Sequence, residues 1–222
     1  MRIWSFVSEK GGSGKTTLTL QLSVAALSKK LAVSVLDLDP QRSAEQWADL
    51  RETNLGALEP TIVHGNPADL EGMLEAARET STDLVLIDTP PTVDRCMIFA
   101  AAAANMVVIP TRSNVLDRFA LRDTLTYMEH IGALWKSVVV LNAPSKDKKA
   151  RAETEEIVAE FGVTLLSHVL DDHLDFAQSL GEGKGITERW PKRKAASTIR
   201  TIYKQLCDHE RALGRTRQRR SA

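Results

Sequence analysis

Lys10-Gly11-Gly12-Ser13-Gly14-Lys15-Thr16-Thr17 decides the fold. A short apolar run, Ile3-Trp4-Ser5-Phe6-Val7, precedes it, and an amphipathic run from Leu18 to Leu27 follows. Strand, glycine loop and helix in that order is the setting in which backbone N–H groups close on phosphate oxygens. The glycines keep Cβ atoms out of the way, and the helix adds the positive end of its dipole. Gly11, Gly12, Ser13, Gly14, Thr16 and Thr17 are therefore candidate nucleotide-binding residues. Lys15 is placed to reach the β- and γ-phosphates, and the Thr16 hydroxyl to ligate Mg²⁺. The pattern G-x-x-x-x-G-K-[ST] would put its first glycine at position 9, which is Glu9 here, and a second lysine, Lys10, stands at the loop entrance.

Two more acidic strings follow apolar runs. Asp37-Leu38-Asp39-Pro40-Gln41-Arg42-Ser43-Ala44 comes after the second run, and Leu84-Val85-Leu86-Ile87-Asp88-Thr89-Pro90-Pro91 contains the fourth. Residues i and i+2 share a face of an extended chain, so Asp37 and Asp39 can both face the phosphates. Ser43 reads as the N-cap of the helix after it. Asp88, an acid that ends a buried strand, is the expected second holder of Mg²⁺, through water. The segment from Thr89 to Arg95 reads as a switch that senses the γ-phosphate.

With these strings on the page, the chain resembles the ParA/MinD superfamily of ATPases. K-G-G-x-G-K-T-T resembles that family's deviant Walker A box and D-x-D-P-Q-x-S-A its Walker A′ box. The resemblance covers the chain from Arg2 to about Leu213 and is that of a small ParA-type partition ATPase without an N-terminal helix-turn-helix domain. It implies that Lys10 reaches across a nucleotide-sandwich homodimer to the other subunit's ATP, and that Asp39 positions the attacking water. Lys10, Lys15 and Asp39 are then the catalytic set, with Asp37 supporting the loop or the Mg²⁺ shell. Val140-Leu141-Asn142 resembles the family's strand-end L-N, whose amide reads adenine. Pro110 to Asp117 resembles a P-x-x-x-x-x-x-D loop near the dimer seam, without a role for Asp117. The implied cofactors are ATP and Mg²⁺, and the implied reaction is slow ATP hydrolysis. The implied partners are nonspecific nucleoid DNA and a centromere-binding protein of the ParB/ParG type, in the cytoplasm and away from membrane.

The rest of the chain fits a doubly wound α/β fold with a mostly parallel sheet. Apolar runs at Ile3–Val7, Ala32–Leu36, Thr61–Val63, Leu84–Ile87, Met106–Ile109, Val138–Leu141 and near Thr164–Leu166 alternate with helical stretches. Hydrophobic content of 43% and charged content of 26% are those of a soluble globular protein of 222 residues. No 18-residue apolar run is present, and strand one starts too early to leave room for a signal peptide. Cys96 and Cys207 have no ligand spacing and read as free buried thiols. His168 and His173 do not share a helix face, so no metal site is expected there.

Net charge is zero, yet from Lys184 onward twelve Lys and Arg face three acids. Lys192, Arg193, Lys194 and Arg200 lie in or before a last helix whose apolar face is Ile199, Ile202 and Leu206. The family resemblance makes them the expected DNA-binding residues, since phosphate contacts need only density of positive charge. Residues 1–213 are expected to form one ATPase domain and 214–222 a disordered basic tail. Among alternatives, a MinD-like membrane ATPase would need an amphipathic C-terminal helix, which the tail lacks. A metal-cluster carrier would need paired cysteines, and a non-catalytic scaffold would not need Asp39 and Asp88.

Overall fold

The computed structural model of the chain describes residues 1–142, 147–166 and 174–220, with side chains as far as 215. Seven strands form one sheet in the order β3-β2-β4-β1-β5-β6-β7, and every pairing is parallel. The strands are β1 Arg2–Phe6, β2 Val33–Asp37, β3 Thr61–His64, β4 Leu84–Asp88, β5 Met106–Thr111, β6 Ser137–Leu141 and β7 Thr164–Leu165. All seven coincide with the apolar runs of the sequence. The helices between them are α1 Lys15–Leu27, α2 Ser43–Leu55, α3 Leu70–Glu79, α4 Arg95–Ala103, α5 Val115–His130, α6 Lys148–Glu160, α7 Leu174–Gly181, α8 Ile186–Arg189 and α9 Lys194–Arg220.

The strands are continuously apolar because both faces are covered. Successive side chains point to opposite faces. Trp4, Phe6, Val33, Val35, Leu84, Leu86, Met106, Val108, Val138 and Val140 meet α1 and α9 on one face. Ile3, Leu36, Val85, Ile87, Val107, Ile109 and Val139 meet α3 to α6 on the other. Ala100 and Ala101 of the alanine run are fully buried in the second layer, where small side chains let α4 approach the sheet closely. The edge strands β3 and β7 alternate between exposed and half-buried residues.

Two expectations are corrected here. The run Leu18–Leu27 looked amphipathic, yet every residue from Leu18 to Ala26 is buried. The reason is α9, whose Ala195, Ala196, Ile199, Ile202 and Leu206 cover the outer side of α1. The tail expected to be disordered from Gly214 instead continues α9 to Arg220. Once a helix is anchored by a packed N-terminal half, each added residue costs little, and Arg and Gln are good helix formers. His168 and His173, with Asp171 and Asp172, lie outside the described residues.

The C-terminal helices are pinned to the site-bearing half by buried polar contacts. Gln21 of α1 donates to the Ser179 hydroxyl (3.1 Å) and accepts from the Ile186 N–H (2.7 Å). Arg51 of α2 makes a two-pronged ion pair with Glu188 (2.7 and 2.8 Å) and donates to the Gly183 carbonyl. It also stacks 5.3 Å from the Trp47 ring. Gly183 has φ +72°, and a Cβ there would sit 2.5 Å from the Arg51 Cα, so only glycine fits.

Removing the Arg51 charge strands Glu188 and the Gly183 carbonyl. Arg51→Met is expected to cost about 2–4 kcal/mol in urea unfolding. A change under about 0.5 kcal/mol would show that the clamp contributes nothing.

Candidate functional site

Register builds the site. β1 and β4 pair with Phe6 opposite Asp88, and β2 and β4 pair with Asp37 opposite Asp88. The carboxyl ends of the three strands are thus level, so the glycine loop, the A′ string and the switch segment all emerge at one edge. Ligands of open α/β sheets bind at that edge.

The loop turns through left-handed backbone at Gly12 (φ +73°) and Gly14 (φ +100°). A Cβ on Gly14 would lie 2.1 Å from Asn142 Nδ2, so the close approach also demands glycine. Asn142, at the end of β6, donates that amide to the Ser13 carbonyl (2.8 Å). The residue expected to read adenine is therefore fixed against the phosphate loop. Lys15 is buried, and its ammonium donates to the Ser8 and Lys10 carbonyls (3.2 and 3.3 Å). Burial holds its pKa below the ordinary lysine range, against the opposing pull of Asp88 and Asp39.

Thr16 and Asp88 come together. The Thr16 hydroxyl donates to Asp88 Oδ2 at 2.6 Å. Among the described residues, Asp88 Oδ1 is buried without a partner, and so is the Ser13 hydroxyl. Burial pushes the Asp88 carboxyl up to about 7, with Asp37 and Asp39 adding to the rise and the Thr16 hydrogen bond and Lys15 opposing it. A buried carboxylate oxygen with nothing to bind is costly, and a hydroxyl beside it completes an oxygen donor set. Hard oxygen donors of this kind fit Mg²⁺, which keeps most of its water and takes one or two protein ligands. Thr16 and Asp88 are the residues that could hold it.

The two aspartates of the A′ string have separate environments. Asp37 is fully buried and spent on structure. Its Oδ1 accepts from the Asp39 N–H (3.1 Å), and its Oδ2 from the N–H groups of Ala44 and Glu45 (3.0 and 3.3 Å). Burial raises its pKa, against those three hydrogen bonds. Asp37 thus caps α2, and Ser43, expected as the N-cap, is the helix's first residue instead. Asp39 is half-buried at the mouth and accepts from the Gln41 N–H (2.9 Å), which leaves carboxylate capacity facing the site.

The switch segment is anchored at both ends. The buried Thr89 hydroxyl donates to the Phe6 carbonyl (2.8 Å), and Asp94 caps α4 by accepting from the Cys96 N–H (2.8 Å). Cys96 and Cys207 are free and buried, as the sequence implied, and burial pushes the Cys96 thiol up to about 12.

Lys10 does not enter its own phosphate loop. Its ammonium lies 2.8 Å from Oδ1 of Asp117, in the first turn of α5, and Asp117 Oδ2 is buried without a partner among the described residues. Asp117 carried no role in the sequence reading, and the only signal was the P-x-x-x-x-x-x-D string. The expected DNA-binding residues lie around the start of α9, apart from this cluster. Lys192, Arg193 and Lys194 are exposed and Arg200 is half-buried. Arg193 pairs with Asp175 (2.5 Å) and lies 4.1 Å from the centre of the Trp190 ring, and Arg200 donates to the Pro191 carbonyl.

A phosphate-cradling loop, a buried lysine behind it and a hydroxyl–carboxylate pair for Mg²⁺ define a P-loop nucleotide hydrolase. The family model for the CobQ/CobB/MinD/ParA nucleotide binding domain matches residues 4–186, and the chain belongs to that family. It is an ATPase that uses Mg²⁺. Among curated proteins it is similar to a "Maintenance of carboxysome distribution protein A" of Gloeobacter kilaueensis, 28% identical over 92% of this chain and 94% of the relative. It is also similar to the "Chromosome-partitioning ATPase Soj" of Thermus thermophilus, 26% identical over 91% of this chain and 94% of that one. Among solved structures, the Aquifex aeolicus MinC:MinD cell division complex has the same fold, with a TM-score of 0.75 at 16% identity, covering 94% of this chain and 96% of the other.

The raised Asp88 pKa has a consequence for stability. Unfolded, the carboxyl ionises near pH 3.9; folded, it does so near 7. Between those values the folded chain holds the extra proton, so stability falls as pH rises through the window and the loss is complete above it. The metal-free protein should lose about 2 kcal/mol from this group between about pH 5.5 and 7.5. Asp88→Asn should remove that drop in denaturant titrations at the two pH values. An unchanged drop would place its origin elsewhere.

Proposed function

We propose that this chain is a DNA-partition ATPase that works as an ATP-dependent homodimer. Lys10 carries the reading. It stands beside the phosphate loop yet points outward to Asp117 at the start of α5. A lysine placed there is positioned to serve a phosphate on a second copy. Around Asp117, Val115, Leu116 and Phe119 are 54%, 66% and 63% exposed, an apolar row suited to being covered. In the dimer Lys10 and Lys15 neutralise charge on the transferred phosphoryl group, Thr16 and Asp88 would hold the Mg²⁺ that adds to that neutralisation, and Asp39 orients the attacking water. Asn142 meets the adenine once nucleotide draws it from Ser13. Among the described residues no strong general base stands beside Asp39, so turnover without a stimulating partner is slow.

The basic C-terminal region supports binding to DNA without sequence preference, by Lys192, Arg193, Lys194 and Arg200. Two copies double the positive surface and couple DNA affinity to ATP. The hydrolysis-stimulating partner is a centromere-binding protein of the ParB/ParG type, and the chain associates with the nucleoid. The name of the Gloeobacter relative favours a second reading, in which the cargo is a protein compartment and the DNA serves as the track. A MinD-like membrane role has less support. The last turns of α9, Gly214–Arg220, contain no apolar residue to lie in a membrane surface.

With a nonhydrolysable ATP analogue, the wild type should elute as a dimer and bind duplex DNA with a log–log salt slope of about −0.9 per phosphate neutralised. Lys10→Ala should keep its nucleotide affinity within about threefold, yet remain monomeric and lose the ATP-dependent gain in DNA affinity. A variant that dimerises normally would remove Lys10 from the seam. A wild type that dimerises but ignores DNA would refute the partition reading alone.

A further inference from the structure

A second cavity lies at the opposite end of the sheet from the ATP site. It has a volume of about 890 Å³, within the range of small-molecule sites, and opens between the C-terminal end of α1 and the outer flank of α9. Arg2, the first residue of β1, stands at its floor beside Asp83 at the start of β4. Five cations line it, namely Arg2, Lys29, Arg200, Lys204 and Arg211, against two acids, Asp83 and Asp208.

The cations are organised. Arg200, Lys204 and Arg211 are four and eleven residues apart, which places them within about 40° of one another around the helix at 3.6 residues per turn. Both acids are already engaged. Asp83 accepts from the Ala32 N–H (3.0 Å), and Asp208 holds Lys204 (2.8 Å) and Arg211 (3.2 Å) side by side. Lys29, on the facing wall, has no ion-pair partner among the described residues. The Arg2 guanidinium is fixed by Cys207 Sγ (3.6 Å), the Tyr203 hydroxyl (3.4 Å) and Glu210 (3.3 Å). It also lies 5.5 Å from the centre of the Trp4 ring. That leaves two of the five guanidinium N–H donors without a partner among the described residues, on a side chain one-third exposed. Ala25 and Leu31 give the same cavity an apolar wall.

A positioned guanidinium with spare donors, a row of cations and an apolar wall match a phosphate carried on a larger body. We propose that this crevice is a second phosphate-binding site, separate from the P-loop, for a phosphate-bearing ligand of nucleotide size. The phosphate chemistry is common to a free organic phosphate and to the backbone of a nucleic acid, and the test separates these sources. Arg200 also belongs to the DNA-binding set proposed above, so the crevice stands apart from that reading through its uptake of a free phosphate ligand.

Arg2 carries three internal contacts, so the test uses the exposed pair Lys29→Gln and Lys204→Gln in one chain. Two probes are titrated at low salt: ADP by calorimetry, and a 24-base-pair duplex by fluorescence anisotropy. A control variant, Lys148→Gln with Lys149→Gln on α6, removes the same charge elsewhere. If wild type and control bind two ADP per chain and the Lys29/Lys204 variant binds one, the site takes free phosphates. If the variant loses tenfold or more in duplex affinity yet binds ADP as the wild type does, the crevice belongs to the DNA-binding face and the proposal of a separate site is overturned. The proposal is overturned if the Lys29/Lys204 variant matches the control with both probes.

Discussion

Everything at the site depends on one alignment, that of Phe6, Asp88 and Asp37 side by side across three parallel strands. In a parallel sheet a one-residue slip would turn each side chain to the opposite face, and here both faces are packed. The two cores therefore fix the register, and the register fixes the chemistry. It puts the Thr16 hydroxyl on Asp88 at 2.6 Å and leaves the other Asp88 oxygen buried and open. It also brings Asp37 into line to hold the A′ loop, which frees Asp39 for the site. The cost of the unsatisfied oxygen falls on a sheet that buries β1, β2, β4, β5 and β6 almost completely.

The phosphate loop, the two acidic strings and all seven strands were legible in the sequence because each rests on local spacing. What escaped was long-range. The Lys10–Asp117 pair joins the first loop to α5, and no spacing within either segment announces it. Ser43 has the chemistry of an N-cap, but Asp37, six residues earlier, reaches the same N–H groups because β2 ends beneath α2. The run Leu18–Leu27 read as amphipathic because polar Thr19, Gln21 and Ser23 fall among its apolar residues. All three are fully buried, and Gln21 bonds to Ser179 of α7 and Ile186 of α8. The last turns of α9 lack an apolar pattern and still continue the helix, since helix propagation needs no packing partner of its own.

The layer of α7 to α9 also explains the uneven charge. Its inner side is apolar and packs on α1, so its Lys and Arg side chains collect on the outer side and at the amino ends of the strands. Many of them are paired there: Arg193 with Asp175, Arg189 with Glu182, and Lys204 and Arg211 with Asp208. Exposed pairs of this kind contribute little to stability, so exchanging an acid for a phosphate partner costs the fold little. The same helices that complete the core thus present positive charge whose attraction for a polyanion weakens with salt.

The central claim is that Asp88 is a carboxylate set aside for Mg²⁺ beside the phosphate loop. Calorimetric titration of ADP, with Mg²⁺ and with chelator, on the wild type and on Asp88→Asn tests it directly. The wild type should bind ADP at least tenfold more tightly with Mg²⁺, and the variant should show little difference between the two conditions. Equal Mg²⁺ dependence in both proteins, or none in the wild type, would contradict the account.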